Sequence, residues 1–421
     1  MADSGEPVTF ADIEAATERL DDPTVVKSTP VERSTSLEAM TAAKRVFLKL
    51  EHLQWTGSFK TRGASNKIQT VLESGDVDHV VAASAGNHAQ GVALAATRHG
   101  VDATIVMPTI APQAKIDATR GYGATVELEG KDFQAATEYA LEYAAEVDAE
   151  FVHAFDDPAI VAGQGTLGME MCRDCEAIDT VIVPIGGGGL ISGIATAFAE
   201  LSPETRIVGV QATGAATVPD SLHKGTPQTL DDVDTIADGI ATGGISELTL
   251  SIIERHVDDI VTVTNSEIAD AVLVLMERAK QVVEGAGAAS VAALRSDSLD
   301  VSGERVMALL CGGNLDMTML RAILIHALTQ RQQILRLRVR IDDRPGKMAE
   351  LSSIIANHGA NIQTVRHDRA LEELDVGEAD LVFQVETSGA GHAANIIDSI
   401  AAHGYGVEVV NRVATEPAGR Q

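Results

Sequence analysis

The wording that most constrains this chain lies at residues 179–201. There the near-continuous apolar run Asp179-Thr-Val-Ile-Val-Pro-Ile185 passes through Gly186, Gly187, Gly188 and Gly189 into a second apolar stretch, Leu190 to Leu201. A strand apolar at successive positions is buried on both faces, as in a parallel sheet covered by helices. Glycines joining such a strand to a helix leave backbone N–H groups unobstructed at the helix N-terminus, where a phosphate can be wrapped closely. The wording is neither the nucleotide GxGxxG nor a P-loop, since no Gly-Lys-Ser/Thr follows.

The same unit recurs. Strands are expected at Arg45 to Leu50, His79 to Ala83, Ala103 to Met107, Thr125 to Glu129, Phe151 to Phe155, Arg206 to Gln211, Asp259 to Val263 and Arg305 to Leu310. Helices are expected at Phe10 to Leu20, Ser58 to Leu72, Gln113 to Arg120, Phe133 to Val147, Ser266 to Lys280 and Leu315 to Gln330, with Thr29-Pro-Val as a turn. This alternation implies an α/β fold with parallel-rich sheets, whose ligands bind outside the carboxyl ends of the strands.

Three further stretches lie at such strand-to-helix junctions. Ser58-Phe59-Lys60 opens a helix, with Ser58 as the expected N-cap and Lys60 in the first turn. The positive end of the helix dipole disfavours an ammonium there and favours a neutral, nucleophilic amine. Ser84-Ala-Gly86-Asn87-His88 offers a hydroxyl, a bare glycine, a carboxamide and an imidazole before a helix through Arg98, an expected anion site. Cys311-Gly-Gly-Asn314 ends another strand in a glycine turn. One crevice is expected to hold all of them.

Composition narrows the setting. Lys and Arg number 32 against 61 acids, a formal charge of −29 that argues against nucleic acid and anionic lipid as partners. No run approaches the ~18 apolar residues of a membrane span, and no signal peptide opens the chain, so a cytoplasmic protein is expected. The three cysteines, Cys172, Cys175 and Cys311, imply no disulfide framework, and Cys172-Arg-Asp-Cys175 lacks the second pair a zinc site needs, so no metal is expected.

Near residues 331–334 the organisation changes. Leu335 to Ile341 alternates basic and apolar residues, Asp343-Arg344-Pro345-Gly346 makes a turn, and the order βαββαβ follows, a ferredoxin-like arrangement. Two domains are expected, at 1–331 and 334–421.

In order and spacing, Ser58-Phe59-Lys60, Ser84 to His88 and Gly186 to Gly189 resemble fold-type II pyridoxal-phosphate enzymes, and more narrowly the threonine dehydratases, or threonine ammonia-lyases. The tail, with Asp343 to Gly346 and Gly359-Ala-Asn361-Ile362, resembles an ACT domain, a small-molecule sensor. The resemblance implies a two-lobed catalytic domain in which Lys60 carries pyridoxal 5'-phosphate as a Schiff base and Phe59 packs beside the ring. Asn87 would bond the ring hydroxyl, Gly186 to Gly189 would hold the phosphate, and Cys311 would stand near the ring nitrogen. Lys60 and Ser84 are the implied catalytic residues, with Ser84, Gly86, Asn87 and His88 holding the substrate carboxylate. The implied reaction converts L-threonine to 2-oxobutanoate and ammonia, and L-serine to pyruvate. Serine racemase, hydroxyaspartate dehydratase and a catalytically silent amino-acid sensor are the alternatives. Related racemases carry acidic metal ligands where this chain has Gln211 and Thr217. For the tail the resemblance implies an amino-acid effector, isoleucine, valine or none being left open, met at Arg344, Gly346, Asn361 and Ile362. A homodimer or homotetramer is implied.

Overall fold

The apolar run at Asp179 becomes the strand Thr180–Pro184, buried at every position. A computed structural model describes residues 7–410 except 76, 176 and 370–373, so the outer ends of both expected domains lie outside the described residues. The strand is central in a six-stranded sheet ordered Val31–Arg33, Arg45–Lys49, Arg305–Leu309, Thr180–Pro184, Arg206–Ala212, Asp259–Val263. The first pairing is antiparallel and the others are parallel. Val181, Ile182 and Val183 are fully buried, each stabilising the fold by about 1.5–3 kcal/mol relative to exposure.

A second sheet, wholly parallel, is ordered Thr125–Leu128, Asp102–Met107, His79–Ala83, Glu150–Phe151. Its last strand is shorter than the expected Phe151 to Phe155. His153 Nδ1 accepts the N–H groups of Phe155 (3.3 Å) and Asp156 (2.7 Å), which turns the chain off the sheet.

Helix Pro158–Asp174, which periodicity does not delimit, ties the two sheets' helices together. A Cβ on Gly163 would lie 2.7 Å from Gly63 Cα in helix Lys60–Ser74, and one on Gly193 would lie 2.5 Å from Gly165 N. Backbone therefore meets backbone, and the helix carrying Lys60 is held in register with helix Gly189–Leu201. Charge reinforces the contact. Arg62, only 1% exposed, bonds Glu51 (2.6 Å) and Glu170 (2.8 Å), and Lys49 bonds Glu170 (2.9 Å) and Asp174 (3.1 Å).

Three other expectations are corrected. Thr29-Pro-Val is not a closed turn but leads into the edge strand Val31–Arg33. The helix expected from Ser266 to Lys280 is α-helical over Asn265–Val274 and a π-helix over Leu275–Ala279, ending at Lys280 with φ +61°. Ser58 is not the cap of helix Lys60–Ser74: Phe59 occupies that position, and Ser58 pairs through its backbone with Gly312.

By its internal contacts the chain divides into Met1–Met319 and Leu320–Gln421. The division falls inside helix Met317–Gln330, earlier than residues 331–334, because a change of periodicity marks where a strand begins rather than which body the preceding helix joins. The second unit has an antiparallel sheet ordered Asn361–Asp368, Glu378–Glu386, Ile334–Asp342, Val407–Val409, with helices Lys347–Asn357 and Ala390–Ala402. Leu335, Leu337, Val339 and Ile341 alternate into its core, while Arg340 bonds Asp380 at 3.0 Å.

Candidate active site

Lys60 reaches its place through pairing between segments about 250 residues apart in sequence. Phe59 N–H donates to Cys311 O (3.2 Å), Ser58 bridges Gly312, and Gly313 N–H donates to Gly57 O (2.8 Å). The Lys60 amine donates to Ala154 O at 2.8 Å and lies 5.1 Å from the Phe59 ring centroid. Burial lowers its pKa to about 8, although the Cys311 side chain opposes the shift. The amine is thus poised to act as a base or nucleophile near neutral pH.

The Ser84 loop gives way to helix Asn87–His99, whose first N–H groups have no intrahelical partner. Ser84 Oγ accepts the Gly86 N–H at 3.1 Å, and a Cβ on Gly86 would meet open space. His88 also lines the cavity, but its Nε2 donates to Val152 O at 2.9 Å, and burial, with help from Lys60, lowers its pKa to about 3. Its imidazole is neutral, so only its backbone N–H is placed for a carboxylate. The Asn87 carboxamide is held from both ends. Its Oδ1 accepts from Asn314 Nδ2 (2.7 Å), and its Nδ2 donates to Glu284 Oε1 (2.7 Å), leaving one N–H for a ligand.

Opposite stands the glycine loop. Gly188 has φ +92°, which favours glycine, and a Cβ on Gly187 would lie 2.2 Å from Phe155 Cδ1. Thr249 Oγ1 donates to Gly187 O at 2.9 Å and steadies the turn. Packing against Phe155 and Thr249 therefore demands these glycines, beyond any need to leave N–H groups open. Cys311 is buried, and burial, then the nearby Glu284, push its thiol well above the ordinary range, so it stays protonated.

Lys60, Ser84, Asn87, Gly186 to Gly189 and Cys311 line one cavity of about 540 Å³, together with Glu284, Asn314, Phe155, Lys115 and Asp238. Glu284 is the residue that sequence reasoning missed. It sits at the N-cap of helix Gly285–Leu294, where an acid reads as ordinary dipole compensation, yet its side chain makes no capping bond and turns to Asn87. Burial raises its pKa to about 7. Gln211 closes its own turn, donating to Ala215 O (3.2 Å) and accepting from Val218 N–H (2.8 Å).

The residues expected at the effector site lie in the second unit. Arg344 is exposed, and Gly346 caps helix Lys347–Asn357 with φ +97°. Asn361 donates to Glu386 at 3.2 Å, and Ile362 packs against the core.

A family model described as pyridoxal-phosphate dependent enzyme matches residues 24–312. The chain belongs to the pyridoxal-phosphate dependent enzymes. It is 43% identical over 403 residues to an L-threonine ammonia-lyase of Thermotoga maritima, covering 96% of this chain and 100% of that one. Among solved structures it resembles the processed form of threonine deaminase isoform 2 from Solanum lycopersicum, with 36% identity, a TM-score of 0.71, and coverage of 76% of this chain and 94% of that one. It also resembles maize serine racemase, with 34% identity, a TM-score of 0.71, and coverage of 77% and 99%.

Pyridoxal phosphate is an anionic aldehyde, and the cavity of this pyridoxal-phosphate dependent enzyme fits it. An amine of lowered pKa faces the cavity, a helix N-terminus is shaped by glycine, a protonated thiol is at hand, and Thr242 Oγ1 is buried at the lining without a hydrogen-bond partner.

Proposed function

We propose that this enzyme deaminates L-threonine to 2-oxobutanoate and ammonia, and L-serine to pyruvate, by α,β-elimination in the cytoplasm. The observation that carries the reading is the Lys60 amine, its pKa near 8, in one cavity with the N-termini of the helices that begin at Asn87 and Gly189, whose N–H groups suit anions. In this reading the Gly186 to Gly189 N–H groups hold the cofactor phosphate and Lys60 anchors its aldehyde carbon. The free N–H of Asn87 would donate to the ring hydroxyl, and Phe59 would pack beside the ring. Pyridoxal phosphate, when bound, supplies the electron sink that makes the substrate α-proton removable.

The chain's own groups do the rest. Ser84, Gly86 and the first N–H groups at Asn87 and His88 hold the carboxylate and so orient the α-carbon. The Lys60 amine, once displaced, takes the α-proton, its lowered pKa matching that task near pH 8. Cys311 remains neutral and weakly polar, so beside the ring nitrogen it would not sustain the positive charge that a carboxylate partner would. Elimination of the β-hydroxyl then competes well with transamination.

The second unit is assigned as an ACT-like regulatory domain, 334–421, with the catalytic domain at 1–331 and effector contacts at Arg344, Gly346, Asn361 and Ile362. The working assembly in this reading is a homodimer or homotetramer. The test is 2-oxo acid release from L-threonine, L-serine and 3-hydroxyaspartate, with Lys60→Ala as control. Absence of 2-oxobutanoate from the cofactor-loaded enzyme, or full activity in a folded Lys60→Ala variant, sinks the reading. A chain ending near residue 331 should keep turnover and lose any response to isoleucine or valine.

A further inference from the structure

Apart from Lys60, the charged side chains lining the cavity are Lys115, Asp238 and Glu284. Lys115 stands in helix Gln113–Gly121, packed beside the second, smaller sheet, and Asp238 in the turn Asp238–Ile240 that borders the glycine loop. Their side chains pair at 3.2 Å, with side-chain exposures of 30% and 61%. Both act electrostatically on Glu284, Asp238 raising its pKa and Lys115 lowering it, and the would-be Cβ of the adjacent Gly239 lies 2.9 Å from Glu284 Oε1. Glu284 in turn bonds Asn87, next to Gly86 in the loop assigned to the substrate carboxylate.

The pair therefore lies at the end of a short chain of contacts leading from the substrate loop. Among the described residues no arginine lines the cavity, so Lys115 is its remaining cation, and Asp238 already occupies it. A substrate whose β-substituent is a methyl group or hydrogen meets no charge conflict. A substrate with a second carboxylate meets the anion Asp238 and finds the ammonium of Lys115 taken.

We propose that Asp238, by occupying Lys115, is the specificity-determining residue that confines this site to 2-amino-3-hydroxy acids with uncharged side chains and excludes their dicarboxylate analogues. The inference rests on the elimination reading above. The same net reaction on 3-hydroxyaspartate would release ammonia and leave oxaloacetate, so the chemistry needs no new group. Only binding must change. Removing the charge of Asp238 frees Lys115 to receive the second carboxylate, and removing Lys115 as well withdraws that gain.

The test compares kcat/KM for L-threonine and L-threo-3-hydroxyaspartate in the holoenzyme, in Asp238→Asn, in Lys115→Met and in the double variant. Calorimetric binding of succinate and butyrate to each supplies a readout that needs no turnover. For Asp238→Asn the hydroxyaspartate to threonine ratio should rise by about tenfold or more, since like charges placed together are strongly selective. Succinate should tighten in parallel while butyrate does not, and the double variant should lose both gains. Asp238→Ser repeats the test if the asparagine variant is unstable. A ratio and a succinate affinity within about twofold of the parent, or gains that persist in the double variant, overturn the proposal. If the parent fails to turn over L-threonine at all, the elimination reading fails, and succinate binding still decides the role of Asp238.

Discussion

Replacing Glu284 by glutamine should stabilise the protein in alkaline solution and not in acid. Glu284 is 7% exposed, and its pKa is raised from 4.5 to about 7, first by burial and then by Asp238, while the hydrogen bond from Asn87 and the charge of Lys115 oppose the rise. An acid whose pKa is higher folded than unfolded is bound to its proton more tightly in the folded state. Stability is then greatest below the unfolded value, falls as pH rises from 4.5 towards 7, and is level above. At about 1.4 kcal/mol per unit, the whole shift corresponds to about 3 kcal/mol. Roughly 2 kcal/mol of it develops between about pH 5.5 and pH 8. Glutamine has the same shape, can still accept from Asn87 Nδ2, and does not titrate. The assay is denaturant unfolding of cofactor-free parent and Glu284→Gln, followed by circular dichroism across that range. The variant's advantage should grow with pH by about 2 kcal/mol. An advantage that is constant with pH, or a parent that gains on the variant above pH 7, refutes the argument.

Other perturbations follow from the same geometry. In the cofactor-free protein the Lys60 amine should capture an aldehyde about tenfold faster per pH unit below 8 and reach a plateau above, read by stopped-flow absorbance. Gly188→Ala forces a left-handed residue at about 1–2 kcal/mol and brings a Cβ within 2.8 Å of Thr249 Cβ, so cofactor affinity measured by fluorescence titration should fall. Arg62→Met leaves the buried Glu51 without its cation, Glu170 keeping Lys49, and should cost about 3–5 kcal/mol in thermal or denaturant unfolding.

Lys60, the Ser84 loop and the glycine loop are legible in sequence because each is a local strand-turn-helix wording, and local wording sets local backbone. The partners that tune them are not. Arg62 stands two residues from Lys60, but one of the acids that pairs with it, Glu170, lies 108 positions away. Asn87 is readable as a ligand residue, yet its orientation depends on Asn314 and Glu284, about 200 residues downstream. Phe155 was expected within a strand, whereas the hydrogen bonds to His153 peel it off the sheet and set it against Gly187. Ser58 shows the converse error: its residue type suits a cap, but the backbone pairing with Gly312 claims the segment first.

These long-range partners explain how one lysine can be both buried and reactive. A buried ammonium is costly unless it is paired or deprotonated. The core resolves this for Lys49 and Arg62 by pairing them with Glu51, Glu170 and Asp174. Lys60, two residues from Arg62, receives among the described residues a carbonyl, a ring face and a protonated thiol. Glu51, Glu170 and Asp174 are engaged by Arg62 and Lys49, and of the two acids lining the cavity Glu284 accepts from Asn87 while Asp238 pairs with Lys115. Among the described residues no carboxylate pairs with the Lys60 amine, which is the condition its chemistry requires.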